Sequence, residues 1–275
     1  MTKGDFSRRT PEKRYSRVKE QQGRVALDSD FNEGPDIKRR AEVANDLLDL
    51  IRARRSSRVP FDPDRPVGKE DLRKIIEAAR WAPTPHNMQN YEVVVVEDRK
   101  LLEKLGKVRS RTSEAFLREN FQQLSFSEKE LLQKKTGVLA AQFPQPWREP
   151  SKFTEVARQG PGAPLSQMIN GAPMLLVVTY DPRRRAPAAE GDSLGFMGLG
   201  CVMENIWLVA YSLGVGIHIL SVFGREPEED VKRLLHIPKE LRIAYALRLG
   251  YPIHPPPKYP RPRRDAKALV HRNLY

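Results

Sequence analysis

The chain has 275 residues, of which 39% are hydrophobic and 30% are charged, and this length suits one large domain or two small ones. Its single cysteine, Cys201, excludes an intramolecular disulfide framework and a cysteine-rich zinc site. No apolar run approaches the roughly 18 residues that a membrane span needs, and no apolar segment follows Arg8 and Arg9 as a secretion signal requires. We therefore expect a cytoplasmic protein without a membrane partner.

Basic residues outnumber acidic ones by 48 to 35, which gives a formal net charge of +13. Much of the excess lies in the N-terminal arm, in Arg183–Arg185 and in Arg261–Arg264. Such charge attracts nucleic acid, anionic membranes or phosphorylated ligands without selecting among them. Because no zinc-finger, helix-turn-helix or RNA-recognition pattern accompanies it, the sequence predicts no nucleic-acid partner.

Residues 1–45 are polar and contain too few large apolar side chains to form a core. We predict a basic arm or docking segment there, followed by one domain over residues 46–275. Within the arm, residues 4–33 read GDFSRRTPEKRYSRVKEQQGRVALDSDFNE and resemble the N-terminal segment of uncharacterised phage-tail-associated proteins. That resemblance implies a docking tag with its own partner rather than a second activity.

Apolar residues at helical spacing predict two amphipathic helices near the start of the domain, over residues 45–55 and 69–81. Leu47, Leu48 and Ile51 share one face of the first helix. Further along, Gly198–Leu213 is apolar nearly all round, which predicts a central buried helix.

Short apolar runs predict three strands, at Tyr91–Val96, Met174–Thr179 and Ile243–Leu249. The first two runs are almost unbroken, so we expect both faces of those strands to be buried. Pro227, followed by three acidic residues, predicts the first turn of another helix.

Residues 107–170 form a long variable excursion between the first two strands. We predict a helix over Ser113–Ala141, in which Ser127 and Glu130 form a capping box. The proline-rich loop that follows cannot continue a helix or a ladder, and a loop of this length is typical of a lid or a binding loop.

Several common sites are absent from the sequence. The stretch Gly198-Leu199-Gly200 has Met203 where a dinucleotide fingerprint needs its third glycine, and no phosphate-binding P-loop occurs. The five histidines are not paired at i, i+4 with an adjacent glutamate, so we predict no metal site. The histidines are His86, His218, His236, His254 and His271.

The stretch Gly191–Gly195 reads GDSLG and matches the nucleophile-elbow pattern of serine hydrolases. An elbow needs a strand that runs directly into the serine, whereas PRRRAPAAE precedes this one. A helix N-cap at Asp192 or Ser193 accounts for the same residues and does not require a strand before the serine. We therefore prefer the capping interpretation and keep a hydrolase using Ser193 as an alternative.

Three separated segments have the chemistry of an anion site. The first, Arg54–Arg58, reads RRSSR and combines fork-shaped cations with hydroxyl donors. The second, Ala82–Tyr91, is a proline-bracketed turn rich in amide groups. The third is Leu249–Pro252, which reads LGYP and precedes the Arg261–Arg264 cluster.

Together with the central helix, these segments resemble the FMN-dependent nitroreductase family, which also contains flavin reductases, iodotyrosine deiodinases and a flavin-fragmenting enzyme. The pieces are RRS.R, AAR.AP…N.Q, D…G…..N..L.A..LG.G and LGYP…R.R, in that order. The resemblance implies an α+β fold with a mixed, mainly antiparallel sheet flanked by helices. It also implies an intertwined homodimer with FMN at the interface.

The resemblance implies flavin contacts for residues at matching motif positions. It assigns Arg54, Arg55, Ser56 and Arg58 to the ribityl phosphate and ring edge, Arg261 and Arg263 to the phosphate, Pro83, Thr84, Pro85 and Asn87 to an approach from the partner subunit, and Ser221 and Val222 to the isoalloxazine. No catalytic side chain is obligatory, because the flavin carries the chemistry. The chain departs from the family pattern at Pro85, Asn90-Tyr91 and Glu204, which bear on the ring contacts and the substrate pocket.

The implied activity is a ping-pong oxidoreductase that uses NAD(P)H to reduce nitroaromatics, quinones or similar electron-poor small molecules. One alternative keeps the fold but performs reductive dehalogenation or flavin fragmentation. Others are the hydrolase that uses Ser193 and a non-catalytic binding or scaffold protein.

Overall fold

The computed structural model describes residues 42–110, 113–143, 145–158, 165–169, 171–187, 190–221 and 227–275. The chain divides into two compact units, Met1–Arg54 and Arg55–Tyr275. In the first unit, a helix (α1) covers residues 42–53, which confirms the helix predicted there. The amide of Arg54 still donates to the Leu50 carbonyl at 3.0 Å, so the helical bonding ends at that residue. The phage-tail resemblance of residues 4–33 lies outside the described residues.

The second unit is built on a four-stranded sheet whose strands are β1 (Glu92–Val96), β4 (Met174–Tyr180), β5 (Gly216–Leu220) and β6 (Arg242–Gly250). Neighbouring strands are all antiparallel, and their order across the sheet is β1-β4-β6-β5. The three predicted strands are confirmed, and β5 is an additional one. The expectation that β1 is buried on both faces is wrong, because β1 is an edge strand and exposes Glu92 and Val95.

The helices of this unit are α2 (Lys69–Arg80), α3 (Arg99–Lys107), α4 (Glu114–Arg118), α5 (Glu128–Lys134), α6 (Phe153–Arg158), α7 (Ser166–Ile169), α8 (Ser193–Ser212) and α9 (Glu228–Leu235). Two short parallel strands, β2 (Ser125–Phe126) and β3 (Val138–Leu139), form a separate pair. The predicted helix after Pro227 is confirmed as α9, with Pro227 at its N-cap.

Two hydrophobic clusters cover the two faces of the sheet because alternate strand residues point to opposite sides. Leu176, Val178 and Leu247 pack with residues of α2 and α8 on one face. Leu175 and Val177 pack with α3 and α7 on the other face. The result is the predicted α+β architecture, with helices on both sides of the sheet.

Helix α8 is the central helix of the unit, and it begins at Ser193, five residues before the apolar run Gly198–Leu213. Asn205 donates from Nδ2 to the Ala78 carbonyl of α2 at 3.0 Å, and Tyr245 of β6 donates from its hydroxyl to the Leu199 carbonyl at 2.8 Å. Within the described residues, α8 has the length and mean hydropathy of a membrane span, although Glu204 and Asn205 interrupt its apolar run. Its bonds to α2 and β6 show it to be a core helix.

The excursion differs from the single predicted helix over Ser113–Ala141. Helix α4 continues into a π-helical turn, then β2, α5 and β3 follow, so the chain reverses repeatedly. The capping box at the start of α5 is confirmed: Ser127 Oγ accepts from the Glu130 amide, and the Glu130 carboxylate accepts from the Ser127 amide. Much of the proline-rich loop, including Pro161 and Pro164, lies outside the described residues.

Candidate functional site

The Arg55–Arg58 segment lies beside the edge strand β5. The Ser57 amide donates to the Ile217 carbonyl at 2.8 Å, and Ser57 is buried. This backbone bond fixes the segment against a sheet edge, so the side chains on either side of Ser57 start from a rigid base. Ser56 is half-buried and Arg58 reaches the surface.

Phe61 anchors the same segment a few residues later. It is fully buried and lies on two glycines that are register partners in neighbouring strands, Gly216 and Gly250. A Cβ atom at Gly216 would come 2.9 Å from Phe61 Cε1, and one at Gly250 would come 2.8 Å from Phe61 Cβ. The glycine of the LGYP motif is therefore explained by the close approach of this aromatic ring.

The C-terminal tail meets the segment at Arg55. Arg55 donates from Nη1 to the Tyr259 carbonyl at 2.9 Å, two residues before Arg261. Arg55 also accepts a bond from the central helix, because Trp207 of α8 donates from Nε1 to the Arg55 carbonyl at 3.3 Å. Arg261 is half-buried, whereas Arg263 is exposed and donates to the Pro262 carbonyl at 3.1 Å. The structure thus brings Arg55 and the arginine-bearing tail together.

The described structure does not bring three of the predicted flavin contacts, Arg54, Ser221 and Val222, to this site. Arg54 is the last residue of the first unit, so its part in a phosphate clamp stays a prediction. Ser221 directly follows β5 and is exposed, and Val222 lies outside the described residues.

The proline-bracketed turn lies against the first half of α8. Pro85–Asn87 forms a single 3₁₀ turn, and His86 and Asn87 adopt left-handed conformations with φ of 50° and 52°. Thr84 Oγ1 accepts from the Gln89 amide at 3.1 Å, which closes the turn. A Cβ atom at Gly198 of α8 would lie 3.3 Å from Pro85 Cδ. The turn can approach the helix this closely because residue 198 has no side chain.

Three basic side chains form a cluster here: Arg58 at the end of the segment, His218 on β5 and Arg248 on β6. Arg248 of β6 is fully buried, and it donates from Nε to His218 Nδ1 at 3.1 Å and from Nη2 to the Ser57 carbonyl at 2.8 Å. Its third bond runs from Nη1 to the Ile169 carbonyl at 3.3 Å, and its guanidinium lies 4.5 Å from the centre of the Phe61 ring.

The electrostatics of this basic cluster follow from burial and mutual repulsion. Burial, together with the charges of Arg248 and Arg58, lowers the pKa of His218 to about 3. Burial and the Arg58 charge lower the pKa of Arg248 to about 10, so Arg248 remains charged at neutral pH. Burial also lowers the pKa of Arg58, while Tyr259 opposes this shift. At neutral pH the cluster holds two positive charges and one neutral imidazole.

The excursion reaches this site through Gln142. Arg58 donates from Nη1 to Gln142 Oε1 at 3.2 Å. Close to Gln142, Arg148 donates to the Phe143 and Ala141 carbonyls and braces that part of the chain. The excursion therefore contributes a side chain to the surroundings of a predicted flavin contact.

The local structure around Ser193 differs from a nucleophile elbow. In the described part of the chain, the residues before Ser193 form a short 3₁₀ turn, and strand β4 ends at Tyr180. Ser193 begins α8 and Asp192 occupies the N-cap position, but the Asp192 side chain accepts no capping bond. The helix start is confirmed, and the expected side-chain cap is wrong because Asp192 adopts a left-handed φ of 57°.

Within the described residues, no group of three or more histidine, cysteine, aspartate or glutamate side chains could hold a metal ion. The donor set at the site consists instead of cations, hydroxyls and backbone amides. Such groups suit an anionic ligand.

Sequence reasoning missed four residues of this site, namely Gln142, Trp207, His218 and Arg248. Arg248 had one usable signal, because it is a charged residue inside the otherwise apolar strand run IAYALRLG. Trp207 lies within the apolar run Gly198–Leu213, and its bond to the Arg55 carbonyl adds a link to the site. Nothing in the local sequence marks Gln142.

The fold and the candidate site together define an α+β domain in which an arginine-bearing segment near the start of the domain meets the arginine-bearing C-terminal tail. The chain belongs to the Nitroreductase family, whose model matches residues 51–251. It is therefore an oxidoreductase of that family. Arg261 and Arg263 lie beyond the matched range. The match does not extend to residues 4–33 either, and the phage-tail resemblance there is not borne out.

Three similar proteins illustrate the relationship. An iodotyrosine deiodinase from Thermotoga neapolitana is 29% identical over 223 residues, which cover 78% of this chain and 93% of that protein. An NADPH-dependent oxidoreductase from Staphylococcus haemolyticus is 22% identical over 212 residues, which cover 77% and 68% respectively. The crystal structure of a nitroreductase with bound FMN from Desulfitobacterium hafniense has a TM-score of 0.50 and 21% identity, and the match covers 82% of this chain and 98% of that one. The structural similarity supports the fold.

Proposed function

We propose that this protein is an FMN-dependent oxidoreductase that takes electrons from NAD(P)H and reduces electron-poor small molecules such as nitroaromatics or quinones. The observation that carries the proposal is the meeting of two arginine-bearing segments, where Arg55 bonds to the Tyr259 carbonyl two residues before Arg261. Ser56, Arg58 and Arg261 then complete a donor set for a phosphate and a polar ring edge.

The donor chemistry fits FMN. A bound flavin would supply hydride acceptance and donation, and the protein would supply position and electrostatics. Arg55 and Arg261 would neutralise the phosphate of a bound FMN, Ser56 would donate a hydroxyl hydrogen bond, and Arg58 would donate to an acceptor at the ring edge. The positive charge of the site favours electron-rich forms of a bound ligand. NAD(P)H and the acceptor would react with the flavin in turn, which predicts ping-pong kinetics.

We further propose that the active protein is a homodimer and that Pro83, Thr84, Pro85 and Asn87 approach the flavin of the partner subunit. Helix α8 is apolar nearly all round, yet Phe196 and Met197 are 51% and 65% exposed, and Trp81 beyond α2 is 71% exposed. Exposed apolar surface of this kind is typical of protein–protein interfaces. The dimer and the predicted cytoplasmic location are separate expectations, and each can be measured directly.

An absorbance spectrum of the purified protein, recorded before and after anaerobic addition of NADPH, tests cofactor and activity together. We expect a flavin spectrum that bleaches with NADPH and recovers with a nitroaromatic or a quinone. A colourless protein that gains no flavin spectrum when FMN is added contradicts the proposal.

Paired substitution tests the phosphate clamp. Arg261→Ala with Arg263→Ala should lose FMN while the protein stays folded. The matched control is Arg73→Ala with Arg233→Ala, because both arginines are exposed and pair with helix neighbours three residues away in the described structure. Full FMN occupancy in the Arg261/Arg263 variant refutes the clamp.

Reductive dehalogenation is the second candidate, because the excursion contacts Arg58 through Gln142 and the chain is 29% identical to an iodotyrosine deiodinase. Halide release from a halogenated phenol under reducing conditions distinguishes dehalogenation from nitroaromatic reduction.

A hydrolase that uses Ser193 predicts esterase activity that is lost in Ser193→Ala, in a protein without flavin colour. A non-catalytic binding protein predicts no turnover.

A further inference from the structure

Arg248 is a buried charge that the described structure leaves without an opposite charge. It lies on β6 between Leu247 and Leu249, and its guanidinium is fully buried. Within the described ranges, the partners of the guanidinium are two carbonyls, one imidazole and one aromatic face, and none is a carboxylate. A buried charge without a counter-charge is costly, and an apolar side chain of similar size would cost less. The charge therefore calls for a functional explanation.

The partners of Arg248 point to the candidate site. The Ser57 carbonyl belongs to the segment that carries Ser56 and Arg58, and it comes from a residue 191 positions away in the chain. His218 receives the Arg248 Nε bond on Nδ1, so it is neutral and holds its proton on Nε2. The Arg58 charge also contributes to lowering the pKa of the His218 imidazole. Arg248 thus adjoins Arg58 through two routes, the Ser57 backbone and the His218 ring.

We propose that Arg248 is a positioning residue of this site: it holds the Ser57 carbonyl, and its unpaired buried charge raises the affinity of the site for the phosphate of a bound nucleotide. This inference deepens the proposed function and rests on it. The ligand supplies the negative charge that the basic cluster lacks. The protein's own charge is fixed before the ligand arrives, so binding needs little rearrangement of the segment.

Two substitutions separate charge from geometry. Arg248→Met removes the charge and keeps an unbranched side chain, whereas Arg248→Lys keeps a cation but loses the fork. The matched control is Leu175→Val, because Leu175 is the register partner of Arg248, is fully buried and carries no charge. The control reports what a disturbance of the same core does by itself.

The measurements are dissociation constants for FMN and for riboflavin, which lacks the phosphate. We expect Arg248→Met to weaken FMN binding by about tenfold or more, the scale of a single charge interaction in a protein interior, and to weaken riboflavin binding much less. Arg248→Lys should recover most of the FMN affinity, and Leu175→Val should bind both ligands like the wild type. An unchanged FMN affinity in Arg248→Met, or an equal loss for both flavins, overturns the proposal.

A second readout uses inorganic phosphate on the flavin-free protein and follows the His218 ring resonances by NMR. The wild type and Arg248→Lys should show a saturable shift, and Arg248→Met should need about tenfold more phosphate. If the wild type binds neither flavin but shows this difference, the proposed function fails and the role of Arg248 stands. If the His218 resonances do not respond to phosphate in the wild type, the role of Arg248 fails.

Discussion

The indole nitrogen of Trp207 donates to the carbonyl of Arg55 across 3.3 Å, and this bond ties the central helix α8 to the segment that carries the candidate ligand-binding cations. Trp207 is buried in the core between α8 and the sheet. The position of the segment is therefore set by β5 on one side and by α8 on another.

Replacing Trp207 by phenylalanine tests this link. Trp207→Phe should lower the free energy of unfolding by about 1 kcal/mol, the usual value of one hydrogen bond, and should weaken FMN binding about fivefold. Urea denaturation and flavin titration measure the two effects. Trp81→Phe is the control, since its indole nitrogen donates to Glu77 on the surface. Equal effects of the two substitutions on flavin affinity would argue against the link.

Alanine substitutions at two glycines of α8 distinguish the effect of helix propensity on stability from the effect of packing. Gly200→Ala meets nothing within 4 Å and should stabilise the protein by about 0.5–1 kcal/mol, because alanine favours the helix. Gly198→Ala gains the same propensity but places a Cβ atom 3.3 Å from Pro85. We expect the second substitution to be destabilising and to displace the Pro83–Asn87 turn.

Thermal unfolding and flavin affinity measure both glycine variants. If Gly198→Ala is as stable as Gly200→Ala and binds FMN normally, the turn is not held by its contact with the helix.

His218 makes the stability depend on pH. Its pKa is about 3 in the folded protein and near 6.5 when unfolded, so the unfolded chain takes up a proton first as the pH falls. The contribution of this group to stability is intact above pH 6.5. It is lost by about 1.4 kcal/mol per pH unit between pH 6.5 and about 3.

Urea unfolding at pH 7, 6, 5 and 4 measures this slope. His218→Gln should flatten it, because glutamine keeps an acceptor for Arg248 but does not titrate. His254→Gln, at an exposed position, should leave the slope as in the wild type. A wild-type slope that persists in His218→Gln would show that another group causes it.

Gln142 connects the excursion to Arg58. Removing the Gln142 side chain should affect the binding of the electron acceptor more than the binding of the flavin. Gln142→Ala should raise the KM for the acceptor about two- to fivefold, which corresponds to an exposed hydrogen bond of about 0.5–1 kcal/mol. Gln133→Ala, at an exposed position of α5, is the control. Steady-state kinetics with several acceptors measures the effect, and equal KM values in both variants would contradict it.

The sequence predicted the elements whose signals are local. The apolar runs of β1, β4 and β6, the helical spacing of α2 and the capping box of α5 depend on neighbouring residues, and all are confirmed. The resemblance to the family also predicted flavin contacts for the segments that contain Arg55 and Arg261. Their meeting through Tyr259 required the folded chain, since 204 residues separate Arg55 from Tyr259.

The features that were missed depend on distant pairing. The exposure of β1 follows from its edge position, which no local pattern states. Strand β5 contains a glycine and a histidine, and it pairs with β6 across a helix and a loop. The burial of Arg248 depends on Ser57 and Ile169, which lie 191 and 79 residues away, so a charged residue in a strand gave no indication of its partners.

The excursion carries its own small core. Leu117, Leu131 and Phe153 are buried there and belong to neither of the two clusters that cover the sheet, while Phe116 and Trp147 meet edge to face with ring centres 5.9 Å apart. Because residues 114–158 carry an interior of their own, we expect them to tolerate exchange between relatives better than the remainder of the excursion, whose Leu165 and Ile169 pack in the core under the sheet. Such exchanges would test whether this part of the chain sets the preference for the electron acceptor.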